Sequence, residues 1–348
     1  MWSEYDYLDT RTDLAIEAQE LFVKEEGPPE IPGVEVYKEE GKTATVTRIF
    51  IKSKVGAQMM NKLPGNYTTI EAQGLRQRDV ETREEVSQLL AKELTRYTKD
   101  LDTSAVVLVI GLGNWNATPD ALGPKVVNKI MVTRHLYQLV PAEGRGGLRP
   151  VAALAPGVLG LTGIETGEII LGVTQRIKPG LVICIDALAS RSSKRLCSTV
   201  QISDTGINPG AGVGNRRLAI TPEVLGVPVV SIGVPTVIHA TTIINDGLRI
   251  LEEGPEAFEQ DEDVPRATSL HVDPRMITHP ERTASKEGGS NQRKQVIQQL
   301  LTPYMGSMIV TPKEIDVLID DVADVLAGGL NACLHEQVDL NEVLKYIQ

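Results

Sequence analysis

An α/β fold, with a doubly wound, mostly parallel sheet and helices on both faces, is predicted by three features of this sequence. Short apolar runs rich in β-branched residues recur without polar alternation, as strands buried on both faces require. Helix-compatible segments separate the earlier runs, which is the βαβ alternation of a wound sheet. A glycine turn, Gly111-Leu-Gly-Asn-Trp-Asn116, follows the first run and leads to Asp120, and in open α/β sheets the carboxyl ends of strands form the ligand crevice.

Residues 33–51 alternate about Glu40-Gly41 and predict an N-terminal hairpin. Residues 79–97 place Val86, Leu89, Leu90, Leu94 and Tyr97 on one helical face. Buried strands are predicted at 105–110, 151–154, 181–185 and 227–232, with helices at 119–139 and 165–177. Residues 253–294 carry Glu-Gln-Asp-Glu-Asp, scattered prolines and no periodic apolar face, and predict a long exposed insertion. Thr311-Pro-Lys-Glu314 has the pattern of a capping box with proline at the first helical position, and Ile315, Leu318, Val322, Val325 and Leu326 follow at helical spacing. The chain is expected to end in packed helices.

With 348 residues and 41% apolar content, one large domain with additions is expected. No apolar run approaches the roughly 20 residues of a membrane span, and the first residues lack the basic and apolar blocks of a signal peptide, so a soluble, cytoplasmic protein is expected, without a membrane partner. A net charge of −11 argues against nucleic acid as a direct partner, because phosphate binding needs clustered basic surface; a protein substrate fits better. Cys184, Cys197 and Cys333 lack paired spacing and read as buried free thiols. The five histidines form no metal-ligand pattern, and neither a metal nor another cofactor is expected.

The glycine turn lacks two parts of a dinucleotide fingerprint: a third glycine, where Asn116 stands, and an acidic residue closing the next strand. Thr118-Pro119 reads instead as an N-cap and first helical residue, putting Asp120 in the first turn. From that position alone, Asp120 serves equally well as a stabiliser of the helix start. Asp186, at the end of the run Leu181-Val-Ile-Cys-Ile185, has its own ordinary reading as a cap for a following helix. Together, however, two strand ends each deliver one aspartate to one crevice. Neighbouring carboxylates share a proton and separate into an acid and a base, the equipment for activating water against a peptide carbonyl and protonating the leaving nitrogen. Ser203-Asp-Thr-Gly206 contains the Asp-Thr-Gly of pepsin-like proteases, but those are β-proteins that bring two such motifs together, so Asp204 reads as a turn residue. The glycine-rich loop after it, from Gly210 to Arg217, is either a lining of the substrate site or a plain turn.

Four segments resemble the germination protease family of spore-forming bacteria: Arg11-Thr-Asp-Leu-Ala-Ile-Glu17, Gly111 to Pro124, Ile185-Asp-Ala-Leu-Ala-Ser-Arg191 and Asp204 to Asn215. The resemblance runs from about Arg11 to the C-terminal helices. It implies an atypical aspartic endopeptidase, made as a homotetrameric zymogen in the forespore and spore core, that initiates degradation of small acid-soluble, DNA-coating spore proteins at germination. The family's catalytic aspartates fall on Asp120 and Asp186. The fold is similar to that of hydrogenase maturation proteases, whose glycine turn also precedes an acidic residue. His239, in Gly233-Val-Pro-Thr-Val-Ile-His239, stands where an aspartate is expected of the family.

The family's substrates are cut after an acidic residue and before a large apolar residue, alanine, a small or apolar residue and glutamate. Asp13, Leu14, Ala15, Ile16 and Glu17 repeat that order, whereas Asp9, followed by Thr10 and Arg11, does not. The resemblance thus implies a propeptide of residues 1–13, cut between Asp13 and Leu14, and a single peptidase domain from 14 to 348. The removed segment is expected to be exposed. A site that selects acids on both sides of the cut should offer cations, and Arg191, Arg195, Arg216 and Arg217 flank the crevice motifs. Two alternatives stand beside this reading: a metal-dependent maturation-type protease using the same carboxylates, and a non-catalytic nucleotide-binding module using the glycine turn.

Overall fold

The computed structural model describes residues 12–26, 31–139, 141, 147–207, 218–243 and 308–335. The chain divides into two compact units, Met1–Ile238 with Val310–Gln348, and His239–Ile309. The insertion expected at 253–294 falls within the second unit and outside the described residues. Residues 208–217 and 336–348, of the first unit, also lie outside the described residues.

The first unit is a mixed sheet whose strands lie in the order β1-β2-β3-β7-β8-β6-β4-β5. Its parallel half consists of β4 (Val107–Gly111), β5 (Val151–Leu154), β6 (Leu181–Ser190) and β8 (Val229–His239). β1 (Val34–Glu40), β2 (Thr45–Ile51), β3 (Gly65–Glu71) and β7 (Thr199–Ser203) extend it through antiparallel pairs. The expected hairpin is β1–β2, turning over residues 41–44, where the Gly41 amide donates to the Ala44 carbonyl at 2.8 Å.

Alternation along the central strands sorts their side chains into different cores. Val107 and Val109 of β4, with Ile183 and Ile185 of β6, join a core capped by α2 (Val80–Thr98), α3 (Leu122–Lys129) and α6 (Ile315–Leu334). Leu108 and Ile110, with Val182 and Cys184, point the other way, to Ile170 of α4 (Thr166–Ile177) and Leu225 of α5 (Pro222–Leu225). The third core, under α1 (Ala15–Glu26), gathers Leu14, Ile16 and Phe22 with Ile49, Ile51, Tyr67 and Leu188. Because Cys184 belongs to the second core and Leu188 to the third, Asp186 stands on β6 where one core gives way to the other.

Four expectations are corrected. The helix expected over 119–139 is a 3-10 turn, Thr118–Asp120, followed by α3, which ends at Lys129. Asn331 of α6 terminates it, donating to the Lys129 carbonyl (3.2 Å) and accepting the Met131 amide (2.9 Å); Thr133 and Arg134 then donate to Val151 of β5. The strand expected to stop at Ile185 continues to Ser190, because β8 supplies partners as far as Ile238. Thr311 does not cap α6: its hydroxyl donates to the Thr236 carbonyl at 2.8 Å, and the helix starts at Ile315 with Glu314 as its cap residue. Cys184 and Cys197 are buried free thiols, whereas Cys333 is half-buried. Among the described residues no helix is long and apolar enough to cross a membrane.

Candidate active site

The glycine turn is closed around Asp120. Gly113 has φ +116°, a conformation open to glycine, and a β-carbon there would lie 3.2 Å from Asp120 Oδ1 and collide with the Asp120 carbonyl. The Asn114 amide donates to that same carbonyl (3.0 Å), and Asn114 Oδ1 accepts the Asn116 amide (2.9 Å), closing the loop on itself. Asp120 therefore occupies the last place of the 3-10 turn, two residues ahead of α3, and not the second place of a long helix. The close helix–strand approach that a third glycine would permit falls to Gly123. A β-carbon at Gly123 would meet Leu112 and lie 2.6 Å from the Ile185 carbonyl.

That approach fastens the Asp120 turn to β6. The Leu112 amide donates to Ile185 at 2.8 Å, prolonging the β4–β6 pairing to the residue before Asp186. The 3-10 turn also packs against β6. Both aspartates are half-buried; Asp120 follows the carboxyl end of β4, and Asp186 lies in mid-β6, one residue past the last β4–β6 pair. Asp186 Oδ1 accepts the amide of Ala187 at 2.9 Å. Two residues earlier on the same strand face, burial pushes the Cys184 thiol pKa up, and the Asp186 charge adds to the shift. Across the sheet, Asp186 pairs with Gly233 of β8, which pairs in turn with Gln201 of β7.

Gln201 is the neighbour that sequence reasoning missed. Its Oε1 accepts the Ala15 amide at 2.6 Å and its Nε2 donates to the Asp13 carbonyl at 3.2 Å, so one side-chain amide spans the Asp13–Leu14 junction. The Asp13 amide also donates to Ala189 of β6 (3.1 Å), and Asp13 Oδ2 accepts the Ala189 amide (2.8 Å). Leu14 and Ala15 are 0% exposed. The junction itself is buried: apolar burial under α1 and pairing with β6 hold it down, while residues 1–11 of the segment expected to be exposed lie outside the described residues. Lys62 donates to the Thr12 carbonyl at 2.9 Å; desolvation lowers its pKa, against the pull of Asp13 and Glu17.

Glu17, 2% exposed, accepts the amides of Arg191 (2.7 Å) and Ser192 (2.9 Å) just past β6, and the Arg195 guanidinium stands 3.4 Å away. Arg195 makes a two-pronged contact with Glu20 (2.8 and 2.7 Å) and donates to Glu71 (2.8 Å). Burial opposes its charge, but these carboxylates raise its pKa overall. Arg195 is thus committed to its own chain, where a substrate-facing role was expected. Arg191 contributes its backbone amide to Glu17, and Arg216 and Arg217 lie outside the described residues. Asp204 is a turn residue as read from sequence: its carboxylate accepts the Asn66 amide (2.8 Å) and side chain (2.5 Å), clamping β7 to β3. His239 is buried at the end of β8. Among the described residues no three potential ligands converge on a metal position.

Residues 15–347 match a peptidase family described as germination protease. A germination protease of Clostridium tetani (strain Massachusetts / E88) is 42% identical over 341 residues, covering 98% of this chain and 100% of the relative. One of Bacillus cereus (strain AH187) is 42% identical over 362 residues, covering 97% and 96% respectively. Among solved structures, a NiFe hydrogenase maturation protease of Thermococcus kodakarensis KOD1 aligns at 22% identity and a TM-score of 0.27, over 42% of this chain and 80% of that one.

Proposed function

The chain belongs to the germination protease family, and from that premise we propose that it hydrolyses peptide bonds with Asp120 and Asp186 as its catalytic pair. The observation that supports this reading is the packing of the Asp120 turn on β6, where Gly123 lies against the Ile185 carbonyl, one residue before Asp186 and just past the end of β4. One carboxylate, ionised, draws a proton from water as the water attacks the carbonyl carbon. Its protonated partner gives a proton to the departing nitrogen. The half-buried setting of both favours such sharing, because two adjacent charges with limited solvent are costly.

The substrate in this reading is a small acid-soluble spore protein, cut when the spore germinates. The enzyme is made as a homotetrameric zymogen in the forespore cytoplasm and retained in the spore core. Residues 1–13 form its propeptide, and the Asp13–Leu14 bond is its maturation site. Asp120→Asn and Asp186→Asn should each lower peptide hydrolysis by at least about 10²-fold while leaving a folded oligomer, because an amide can neither take nor give the required proton. Asp204→Asn should leave hydrolysis in place. Robust turnover by either of the first two variants excludes the pair. Activity should also survive exhaustive chelation; rescue of a chelated enzyme by one specific metal would favour metal-assisted chemistry instead.

A further inference from the structure

The buried Glu17 carboxylate is placed to do something beyond anchoring α1. The Leu14 amide donates to Thr12 Oγ1 at 3.1 Å, and that hydroxyl donates in turn to Glu17 Oε2. A single side chain from the segment N-terminal to the junction therefore bridges the Leu14 nitrogen and Glu17. Hydrolysis of the Asp13–Leu14 bond adds water across it: the oxygen goes to the Asp13 carbonyl carbon, giving a carboxylate, and the Leu14 nitrogen becomes an α-ammonium. Thr12 departs with the released segment. The new cation then sits on Leu14, which is 0% exposed in the uncut chain, with the 2% exposed carboxylate one vanished hydroxyl away.

We propose that Glu17 is a receptor site for the α-ammonium of the matured chain, forming a salt bridge that exists only after cleavage. The inference rests on the Asp13–Leu14 maturation site proposed above. Local geometry supports direct contact: Glu17 is the third residue of α1, and a glutamate at that position reaches back to the nitrogen of the residue preceding the helix. Charge supports it as well, since an ammonium at the start of a helix meets the positive end of the helix dipole and needs a compensating anion. Glu17 is already fixed by the Arg191 and Ser192 amides and by Arg195, so it pays little in lost freedom when it takes this partner. The bridge would tie the cut end of the chain to the segment that follows β6, the strand bearing Asp186.

The test places a recognition sequence for a foreign protease immediately before Leu14 in the full chain and cuts the folded protein, so that the ammonium is generated whether or not the chain processes itself. The pH dependence of Leu14 amine labelling then reads its proton affinity. Pairing with Glu17 should make the amine roughly tenfold more basic than an ordinary α-amine of pKa about 8. A cut that leaves one glycine ahead of Leu14 keeps Glu17 and its anchors intact but moves the cation away, and should restore ordinary basicity. Glu17→Gln, where it folds, should do the same. An ordinary or lowered basicity in the chain beginning at Leu14 overturns the proposal, as does equal basicity with and without the extra glycine. N-terminal sequencing of self-matured protein reports separately on the cleavage site: a start other than Leu14 refutes that site without bearing on the labelling result.

Discussion

Two carboxylates meet β6 at two points, and they are held very differently. Asp186 is half-buried in mid-strand, accepts the amide of its own neighbour Ala187, and stands where two cores part. Glu17, only 2% exposed, comes from another element to take two backbone amides beyond the strand's end, with the half-buried Arg195 behind it. Solvent access at Asp186 leaves room for a proton and a reacting group. The amides around Glu17 fix its charge and join α1 to the sheet. Carboxylates that look alike in sequence thus divide into one suited to exchanging protons and one suited to holding structure.

The comparison breaks most visibly if the two sites respond alike to mutation. Asp186→Asn should abolish hydrolysis yet shift stability little, whereas Arg195→Met should unfold the protein more easily, by about 3–5 kcal/mol, since it strands Glu17, Glu20 and Glu71 without their cation. Urea denaturation of both variants checks this; a large stability loss in the first, or none in the second, would erase the distinction. Gly123→Ala should fall between, costing about 1–3 kcal/mol and also lowering activity, because the added methyl pushes α3 and the Asp120 turn away from Leu112 and Ile185. Activity unaltered in that variant would mean that the turn tolerates displacement.

The smallest effect concerns a group remote from both sites. His335 is 0% exposed; its Nδ1 receives the Arg149 amide (3.3 Å), and its Nε2 faces the Met131 carbonyl (3.2 Å), an arrangement that suits the neutral ring protonated on Nε2. Burial lowers its pKa below the ordinary 6.5. The unfolded chain therefore binds more protons just below pH 6.5, and stability should fall as pH drops through that window. His335→Gln should flatten this acid-side slope in denaturation measured between about pH 5 and 7, with no change in hydrolysis at neutral pH.

Much of the fold was legible because it is written in local pattern. The unbroken apolar runs of β4, β5 and β6 and the helical face of Val86, Leu90 and Leu94 need no distant information. What failed was set from afar. Nothing in 119–139 announces that Asn331, some two hundred residues later, will end the helix at Lys129. The extra length of β6 depends on its partner β8, and the loss of the Thr311 cap on the Thr236 carbonyl. At the candidate site, Asp120 after its glycine turn and Asp186 after its apolar run stand out in the sequence as candidates. Gln201 does not, since a lone glutamine on an alternating strand carries no signal until Asp13 and Ala15 arrive against it.

The grip of Gln201 and Ala189 on the Asp13–Leu14 junction has a kinetic meaning. Water cannot attack a bond beside a residue that is 0% exposed until the segment lifts away. On the proposed cleavage, maturation is therefore a gated first-order process whose rate is the rate of bond hydrolysis multiplied by the fraction of time the segment is open. Each hydrogen bond of about 1 kcal/mol added to the docked segment would slow the clock roughly fivefold, and each one removed would hasten it as much, with the chemistry at Asp120 and Asp186 untouched. The local stability of a few N-terminal residues would then serve as the timer that decides when the enzyme comes of age.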